Sequence, residues 1–405
     1  GKTMRFIVEE WLKQNNIEYD EIVYCDEDKK EAIKLSGKIA GVCYDKEGFS
    51  HLENELEEKT MRRVNRTLNS GHHSVYDHIL INFNMQNIPK ILAMVLNNEK
   101  QYTTSEKSAR YTSIVRQDGS IITEREEKLY QKWIEIFVAK IKAEYGNVYN
   151  DSKIQKLAQE NARYLVTVFM PTQMIYSTTL RQINYLVSWM NDYIKNINQN
   201  NLFETKLASS MQQLIEELDK LNVLEEGLLK NKKGRSLSLF GKDLDKVEEY
   251  YGNVYSTLYK GSFAQVAQAQ RHRTIDYQIE MLDKKEYFVP PIILDDQTLV
   301  NEWLNDMEYV KDVNPQGEIV KVSEMGKYED FILKCKERLC SAAQVEIMHQ
   351  TRDTLARYKK YLEDHNNALA SDIVKYSHGP RCTFPDYECP SDCKLGPVKK
   401  LDRRV

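Results

Sequence analysis

Four short stretches of the sequence combine residue types that could bind an anion or a metal ion. In the stretch QAQRHRTIDY, residues 268–277, Arg271, His272 and Arg273 are consecutive and follow an uncharged run. Gln268 precedes Arg271 by three residues, so a helix would place both side chains on one face. An amide and a guanidinium there could hold a planar base and a phosphate. Taken alone, the stretch favours the alternative, a basic helix C-terminus that complements the helix dipole.

A second stretch, QYTTSEKSARYT at residues 101–112, is rich in hydroxyl groups. Ser108 and Arg110 are two residues apart, and in an extended segment such residues point to the same side. A hydroxyl and a guanidinium on one side could clamp a phosphate or a carboxylate. A solvated polar loop is the commoner alternative for such a stretch taken alone.

The third stretch, GHHSVYDHILINF at residues 71–83, contains a cluster of potential metal ligands. They are His72, His73, Asp77 and His78. The cluster has neither HExxH nor facial-triad spacing, which first-row metal sites commonly show. On these residues alone, a helix N-cap at Ser74 with surface histidines is an equally good interpretation.

The fourth stretch, HGPRCTFPDYECPSDCKLGP, lies at residues 378–397 near the end of the sequence. Its potential zinc ligands are His378, Cys382, Cys389 and Cys393. Three cysteines and a histidine would suit a structural Zn²⁺. The C-x₆-C-x₃-C spacing is not that of a standard zinc knuckle, so the spacing favours thiols without metal.

The composition indicates a small anionic ligand rather than nucleic acid. The chain has 405 residues with 57 basic and 61 acidic side chains, a net charge of −4. Nucleic-acid-binding proteins usually carry a basic excess or a basic stripe, so no nucleic-acid partner is predicted. No membrane-length apolar run or signal-peptide pattern is evident, so no membrane partner is predicted. Seven cysteines, an odd number, argue against a disulfide framework and predict a cytoplasmic protein.

The elements that would position these stretches are mostly helices. Residues 78–85 alternate apolar and polar side chains, which predicts a strand. Thr123 and Glu126 form a capping box ahead of a helix whose apolar face includes Trp133 and Phe137. Further helices are predicted over about 154–195 (with a break near Pro171), 202–224 and 341–365.

A basic break containing Gly and Ser at residues 231–241 is the best domain boundary. The order of elements after this break repeats the order after residue 78: a short β-like run, a helix, a polar loop and a long helix. Residue identity between the halves is low, so a divergent duplication is a hypothesis. The predicted fold class is α+β, helix-rich with small antiparallel sheets. The predicted parts are a first unit at 1–230, a second unit at 231–370 and a cysteine-containing tail at 371–405.

Together these stretches resemble the flavin-dependent thymidylate synthases, the ThyX family. The family signature is an Arg-His-Arg opening a loop that ends in Ser-x-Arg-Tyr-Ser/Thr, preceded by Gly-His-x-Thr/Ser-x-x-Glu-His. GHHSVYDH resembles the upstream segment, with Asp77 for the usual Glu, and SEKSARYT resembles the end of the loop. Residues 161–187 resemble the later helix that reaches the flavin, with Thr179 for the usual Asn. The resemblance covers roughly 30–200 well and about 250–365 weakly.

The chain departs from the family pattern in a complementary way. Counting back from Arg110, the Arg-His-Arg should fall on residues 98–100, which are Asn, Glu and Lys. The missing motif is present in the second half at 271–273. In that half the Ser-x-Arg positions are occupied by Met281 and Asp283. Two tandem ThyX-like units would therefore hold one complete signature between them.

The resemblance implies roles for three sets of residues. The catalytic arginines, which would fix nucleotide anionic groups and stabilise charge on the uracil ring, are Arg110, Arg163 and Arg271. The same arginines would bind the substrate together with Ser108, Gln268 and Glu106. The flavin would be held by His72, Ser74, Asp77, Arg181, His272 and Arg273.

The resemblance also implies an activity, cofactors and an assembly. The reaction would be the reductive methylation of dUMP to dTMP, with FAD as hydride carrier and NADPH and methylenetetrahydrofolate as cosubstrates. Family active sites form between subunits of a homotetramer, so a tandem chain would form a homodimer equivalent to that tetramer. Two alternatives stay open: a methylase of another uridine nucleotide, and an inactive nucleotide-binding regulatory protein.

Overall fold

The structure is a computed structural model that describes residues 5–6, 26–107, 124–390, 393, 395 and 401–405. The chain divides into two compact units. The first unit comprises Gly1–Lys107 and Pro171–Leu237, and the second comprises Ser108–Met170 and Ser238–Val405. The predicted parts 1–230, 231–370 and 371–405 differ from this grouping, because residues 124–170 and the predicted tail both group with the later part of the chain.

Fourteen α-helices lie within the described residues. They are α1 (Asp26–Ala40), α2 (Phe49–Leu52), α3 (Glu57–Ser70), α4 (Lys90–Leu96), α5 (Glu124–Tyr145), α6 (Asp151–Ala162), α7 (Leu180–Asn196), α8 (Leu202–Lys220), α9 (Glu226–Leu229), α10 (Phe263–Ala269), α11 (Gln297–Tyr309), α12 (Tyr328–Arg338), α13 (Val345–Asp364) and α14 (Ala370–Ile373). None of these helices is long and apolar enough to cross a membrane.

Within the described ranges, eight strands form two antiparallel sheets of four strands each. The strands are β1 (Arg5–Phe6), β2 (Leu80–Pro89), β3 (Tyr102–Glu106), β4 (Pro171–Thr179), β5 (Tyr250–Tyr251), β6 (Val254–Ser262), β7 (Asp276–Met281) and β8 (Ile319–Lys327). The first unit has the strand order β1-β2-β4-β3, and the second has the order β5-β6-β8-β7. The predicted α+β class, helix-rich with small antiparallel sheets, is confirmed.

The strand predicted from alternation at 78–85 is β2. Ile81, Phe83 and Met85 are fully buried on its inner face, while the residues between them are partly exposed. Strand β4 pairs with it along its length, with Phe83 opposite Tyr176. Successive side chains of a strand point to opposite faces, so a sheet with one covered face alternates buried and exposed residues. This is why the sequence pattern was sufficient to predict β2.

The helix predicted over 154–195 is wrong in its middle part. Helix α6 ends at Ala162, a short 3₁₀ turn follows at Arg163–Leu165, and β4 then runs to Thr179 before α7 begins. The segment PTQMIYSTT alternates in burial and is rich in β-branched residues, which favour a strand. The Thr179 hydroxyl accepts a hydrogen bond from the Gln182 backbone N–H and so caps α7.

The core of the second unit joins α5 and α6 to α11 and the loops around it. Trp133 and Trp303 are fully buried with their rings perpendicular and 5.0 Å apart. Thr123 of the predicted capping box lies outside the described residues. The Glu126 carboxylate is buried and accepts a hydrogen bond from the Thr167 backbone N–H at 2.8 Å. These contacts explain why residues 124–170 belong to the second unit.

The two sheets share one topology. In each, the strand second in the order (β2 or β6) leads directly into a seven-residue helix, α4 or α10. The next strand of the chain, β3 or β7, lies at a sheet edge, and β4 or β8 pairs between them. Asn98 is the second residue after α4 ends, and Arg271 is the second residue after α10 ends. The residues 98–100 and 271–273 thus follow the same element of their own sheet.

Candidate functional site

In the first unit, the segment predicted from GHHSVYDH forms a 3₁₀ turn, Ser74–His78, directly before β2. Asp77 is the centre of a polar cluster in this turn. Its carboxylate accepts hydrogen bonds from the Thr179 hydroxyl and from Arg181 Nη1, both at 2.7 Å. The Arg181 guanidinium also lies 4.9 Å from the Tyr185 ring centroid. The structure therefore brings together Asp77 and Arg181, two of the predicted flavin residues.

Arg181 keeps one donor available for a ligand. Its Nε is buried and has no hydrogen-bond partner among the described residues. A buried donor without a partner costs free energy, which a ligand acceptor would recover. A phosphate or ring carbonyl oxygen of a flavin nucleotide fits this requirement. His72 and Ser74, also predicted to hold the flavin, are exposed at the same turn.

His73 supports the turn and is not an exposed histidine. Its Nε2 lies 2.9 Å from the Leu68 carbonyl oxygen and its Nδ1 lies 2.7 Å from the Tyr185 hydroxyl. A carbonyl only accepts, so Nε2 donates and Nδ1 accepts from Tyr185. Burial lowers the pKa of His73, which keeps it neutral in this arrangement. No group of three or more potential metal ligands is found among the described residues, so the metal interpretation of this turn has no structural support.

In the second unit, the Arg-His-Arg motif lies in the turn between α10 and β7. Arg271 and Arg273 are exposed, whereas His272 is buried between them. Arg338, at the end of α12, holds this turn. Its Nε donates to His272 Nε2 and its Nη2 donates to the Gln268 carbonyl oxygen, both at 2.9 Å.

Arg338 and Gln344 are the site residues that sequence reasoning missed. The Gln344 side-chain oxygen accepts a hydrogen bond from the Gln268 side-chain amide, so both residues contact the predicted substrate residue Gln268 or its turn. Their signal in the sequence was the helix-end stretch ERLCSAAQ, which carries an Arg and a Gln after an amphipathic helix. Only the packing of α12 against α10 shows that these side chains reach the motif.

The other predicted substrate residues have different outcomes. Ser108 and Arg110 lie outside the described residues. Glu106 ends β3 and forms an ion pair with Lys90 at 2.9 Å, while its second carboxylate oxygen is buried without a partner among the described residues. Arg163 lies in the second unit and Arg181 in the first, so they do not belong to one helix as predicted. Burial lowers the pKa of Arg163.

The predicted zinc ligands do not form a metal-binding group in the described part of the chain. His378 and Cys389 are exposed, and Cys382 and Cys393 are partly buried. No set of three His, Cys, Asp or Glu side chains converges there. The structure gives no support to the predicted Zn²⁺.

Comparisons with known proteins identify the first part of the chain. Residues 26–193 match the model of the family described as thymidylate synthase complementing protein. A flavin-dependent thymidylate synthase of Pyrococcus furiosus is 24% identical over 146 residues. The match covers 34% of this chain and 56% of that relative, little more than half its length. Residues 26–193, less than half of this chain, are thus similar to the ThyX family.

Two solved ThyX structures from Helicobacter pylori are also similar, each described as containing FAD and dUMP. One is 17% identical and covers 49% of this chain and 95% of its own, with a TM-score of 0.29. The other is 15% identical and covers 48% and 96%, with a TM-score of 0.28. Scores of this size do not establish a common overall fold, so the ThyX assignment depends on the sequence match. That match includes Asp77 and Arg181 and ends before the Arg271–Arg273 turn.

The buried imidazole of His272 should make stability depend on pH. Desolvation, with Lys334 and Arg338 nearby, lowers the pKa of His272 to about 2. In the unfolded chain the same group takes a proton near pH 6.5. The unfolded state therefore gains protons first, and this contribution to stability is lost as pH falls below about 6.5. We expect wild type to lose about 1.4 kcal/mol more per pH unit than His272→Gln between pH 6.5 and 5.

Urea unfolding of both proteins at pH 7 and pH 5.5 measures this difference. A glutamine at position 272 can still accept the hydrogen bond from Arg338, so the variant is a matched comparison. Equal pH slopes in the two proteins would show that His272 takes a proton in the folded state near its ordinary pKa.

Proposed function

We propose that this chain is a flavin-dependent thymidylate synthase that converts dUMP to dTMP, with complementary halves that together supply one complete active-site signature. The observation that carries the proposal is the shared topology of the two sheets. It puts the Arg271–Arg273 turn after α10, where the first unit has residues 98–100 after α4. The other half of the signature, Ser108 and Arg110, follows β3 in the sequence and lies outside the described residues.

The first unit supplies the flavin-binding half of the proposed site. Asp77 and Thr179 orient Arg181, and the unpaired Arg181 Nε is available to an acceptor on the flavin nucleotide. When bound, FAD would carry the hydride that NADPH supplies, and methylenetetrahydrofolate would supply the carbon. The residues of this chain would then bind and orient the substrates and polarise the uracil ring, as is usual when a cofactor carries the difficult chemical step.

The second unit supplies the nucleotide-binding half. Arg271 presents an exposed guanidinium, and Gln268 precedes it by one helical turn. Arg338 fixes the turn between them through the Gln268 carbonyl oxygen. A guanidinium fork suits the phosphate of dUMP, and the Gln268 amide suits the uracil ring. We assign Arg110 and Arg163 to the same nucleotide, His272 and Arg273 with His72 and Ser74 to the flavin, and Ser108 and Glu106 to the substrate.

The proposed assembly is a homodimer equivalent to a family tetramer, acting on small molecules in the cytoplasm. Two other functions were considered for the same residues. A methylase of another uridine nucleotide would use the same base-binding residues with a different sugar pocket. A regulatory nucleotide-binding protein would bind the nucleotide without turnover. Each half of the chain retains the part of the signature that the other lacks, which favours the enzyme. Random loss of the motif after a duplication need not leave complementary halves.

The test of the proposed function is flavin binding coupled to dUMP turnover. We expect the purified chain to bind FAD, seen as a flavin absorbance band in the visible range, and to form dTMP from dUMP with NADPH and methylenetetrahydrofolate. Asp77→Ala should lose the flavin band, because it removes the partner of both Thr179 and Arg181. Asp372→Ala, which removes a carboxylate that accepts hydrogen bonds from Tyr328 and Lys375 in the second unit, is the control. A colourless protein without turnover would reject the enzyme.

A further inference from the structure

A chain of hydrogen bonds in the second unit ends at the Gln268 side chain. It begins at Glu346 on α13, whose carboxylate accepts from the Ser262 backbone N–H at 2.9 Å and from the Ser262 hydroxyl. The Tyr164 hydroxyl donates to the same carboxylate at 2.9 Å. Gln344 Nε2 donates to the Tyr164 oxygen at 2.9 Å, and the Gln268 amide nitrogen donates to the Gln344 oxygen.

The direction of every bond in this chain follows from the ionised form of Glu346. Burial raises the pKa of this carboxyl, and the hydrogen bonds that Ser262 and Tyr164 donate to its oxygens lower that pKa and favour the ionised form. A carboxylate accepts, so the single phenolic hydrogen of Tyr164 points to Glu346. Burial raises the pKa of Tyr164 well above its usual value, so the phenol keeps that hydrogen. The Tyr164 oxygen can then only accept, which turns the Gln344 amide nitrogen toward it and its oxygen toward Gln268. The Gln268 side chain therefore donates a hydrogen bond from its amide nitrogen to the Gln344 oxygen.

One atom remains at the end of the chain. Gln268 Oε1 is buried and has no hydrogen-bond partner among the described residues. Tyr164, Gln344 and Glu346 are themselves buried, so water does not easily reverse the order of the bonds. The free group of Gln268 is therefore an acceptor whose orientation is fixed before any ligand binds.

We propose that Tyr164 and Gln344 are positioning residues that commit Gln268 to accept a hydrogen bond, and so select a uracil base over a cytosine base. Uracil presents an imide N–H where cytosine has an unprotonated ring nitrogen. In the same pose, the fixed Gln268 oxygen would pair with the imide of uracil and oppose the ring nitrogen of cytosine. This inference rests on the proposed function, because it assumes that Gln268 faces the base of a pyrimidine nucleotide.

The same helix offers a matched control. Gln265 donates to the Tyr259 hydroxyl at 3.4 Å, and Tyr259 donates to Glu324 at 2.9 Å, so a second Gln–Tyr–Glu chain exists. Gln265 Oε1 is also buried without a partner in the described part of the chain. This oxygen lies against Gly261, where a Cβ would approach it to 2.7 Å. It faces backbone rather than a ligand, so breaking this chain should not affect nucleotide choice.

The experiment measures binding of dUMP and of dCMP to the FAD-loaded full chain by isothermal titration. We expect wild type to bind dUMP at least about a hundredfold more tightly than dCMP. Tyr164→Phe and Gln344→Leu free the Gln268 amide to rotate, and each should reduce that ratio about tenfold or more. Tyr259→Phe should leave the ratio unchanged.

The outcomes separate this inference from the proposed function. An unchanged ratio in Tyr164→Phe or in Gln344→Leu, with dUMP still bound, would overturn the inference and leave the proposed function standing. An equal fall in Tyr259→Phe would overturn it as well, since the effect would then come from general loosening of the unit. Failure of wild type to bind either nucleotide would overturn both.

Discussion

Replacing Arg271 with alanine is expected to weaken dUMP binding by about thirty- to a thousandfold, and Arg110→Ala should do the same. In the proposed site, each change removes a guanidinium that would form charge-assisted hydrogen bonds with the nucleotide, a loss of about 2–4 kcal/mol. Arg271 is exposed in the turn after α10. Its removal should therefore affect binding and turnover far more than stability. Titration with dUMP and steady-state turnover measure the effect.

The control for Arg271 is Arg357→Ala in the same unit. Arg357 is partly exposed and forms a surface ion pair with Glu249 at 3.2 Å. Exposed pairs contribute about 1 kcal/mol or less, so activity should change little. Mixing Arg110→Ala with Arg271→Ala tells which chains supply the two residues. A site built from two chains should regain part of its activity, and a site built from one chain should not. Full activity in either single variant would reject both assignments.

Lys334→Met is expected to destabilise the second unit by about 3–5 kcal/mol. Lys334 and Glu324 are fully buried, and the Lys334 ammonium lies 2.7 Å from the Glu324 carboxylate. Removing one partner of a buried pair leaves the other charge without compensation, which is the costly case. Tyr255 and Tyr259 also donate to Glu324, so they would share the remaining negative charge without neutralising it. Urea unfolding measures the change.

The double variant Lys334→Met with Glu324→Gln separates charge from packing. A neutral amide at position 324 can still accept from a tyrosine hydroxyl, so we expect the double variant to recover a large part of the lost stability. If the single and double variants were equally unstable, the loss would come from the side-chain volume of Lys334 and not from the buried charge. A stable Lys334→Met protein would show that the buried pair contributes little to stability.

The sequence pattern is enough to predict those helices and strands that bury one face and expose the other. Strand β2 has one covered face, so its alternation was visible in the sequence. The sequence-based prediction placed β4 within a helix because the apolar run at 174–176 is too short to distinguish the period of a strand from that of a buried helix. The Pro171 that was read as a break in a helix is the first residue of the strand. A strand tolerates proline at that position.

The motif residues of the site could be identified from sequence, but their supports could not. Asp77 and Arg181 are about a hundred residues apart and meet because β2 and β4 are paired. Arg338 reaches His272 across 66 positions of the chain, and Tyr164 reaches Glu346 across 182. Such contacts depend on tertiary packing, which no spacing rule in one sequence contains. The metal interpretation of the tail cysteines has no support for the same reason, since among the described residues no three potential ligands come together.

The complementary halves predict that each chain has only one productive nucleotide position. The alternative position would combine Met281 and Asp283 with residues 98–100, and it lacks the two arginine forks that a phosphate needs. Glu99 is buried and paired with Arg235, whose guanidinium stacks 3.7 Å from the Trp189 ring centroid. Glu99, which corresponds in position to His272, is thus paired with an arginine of its own unit.

Isothermal titration of dUMP into the FAD-bound chain is the most direct test of this account. We expect about one dUMP bound per chain, because in the proposed site only the combination of Arg110 and Arg271 would hold the phosphate. Glu99→Gln should not change that number. A stoichiometry near two per chain would contradict the account, since the degenerate position would then bind nucleotide without either arginine.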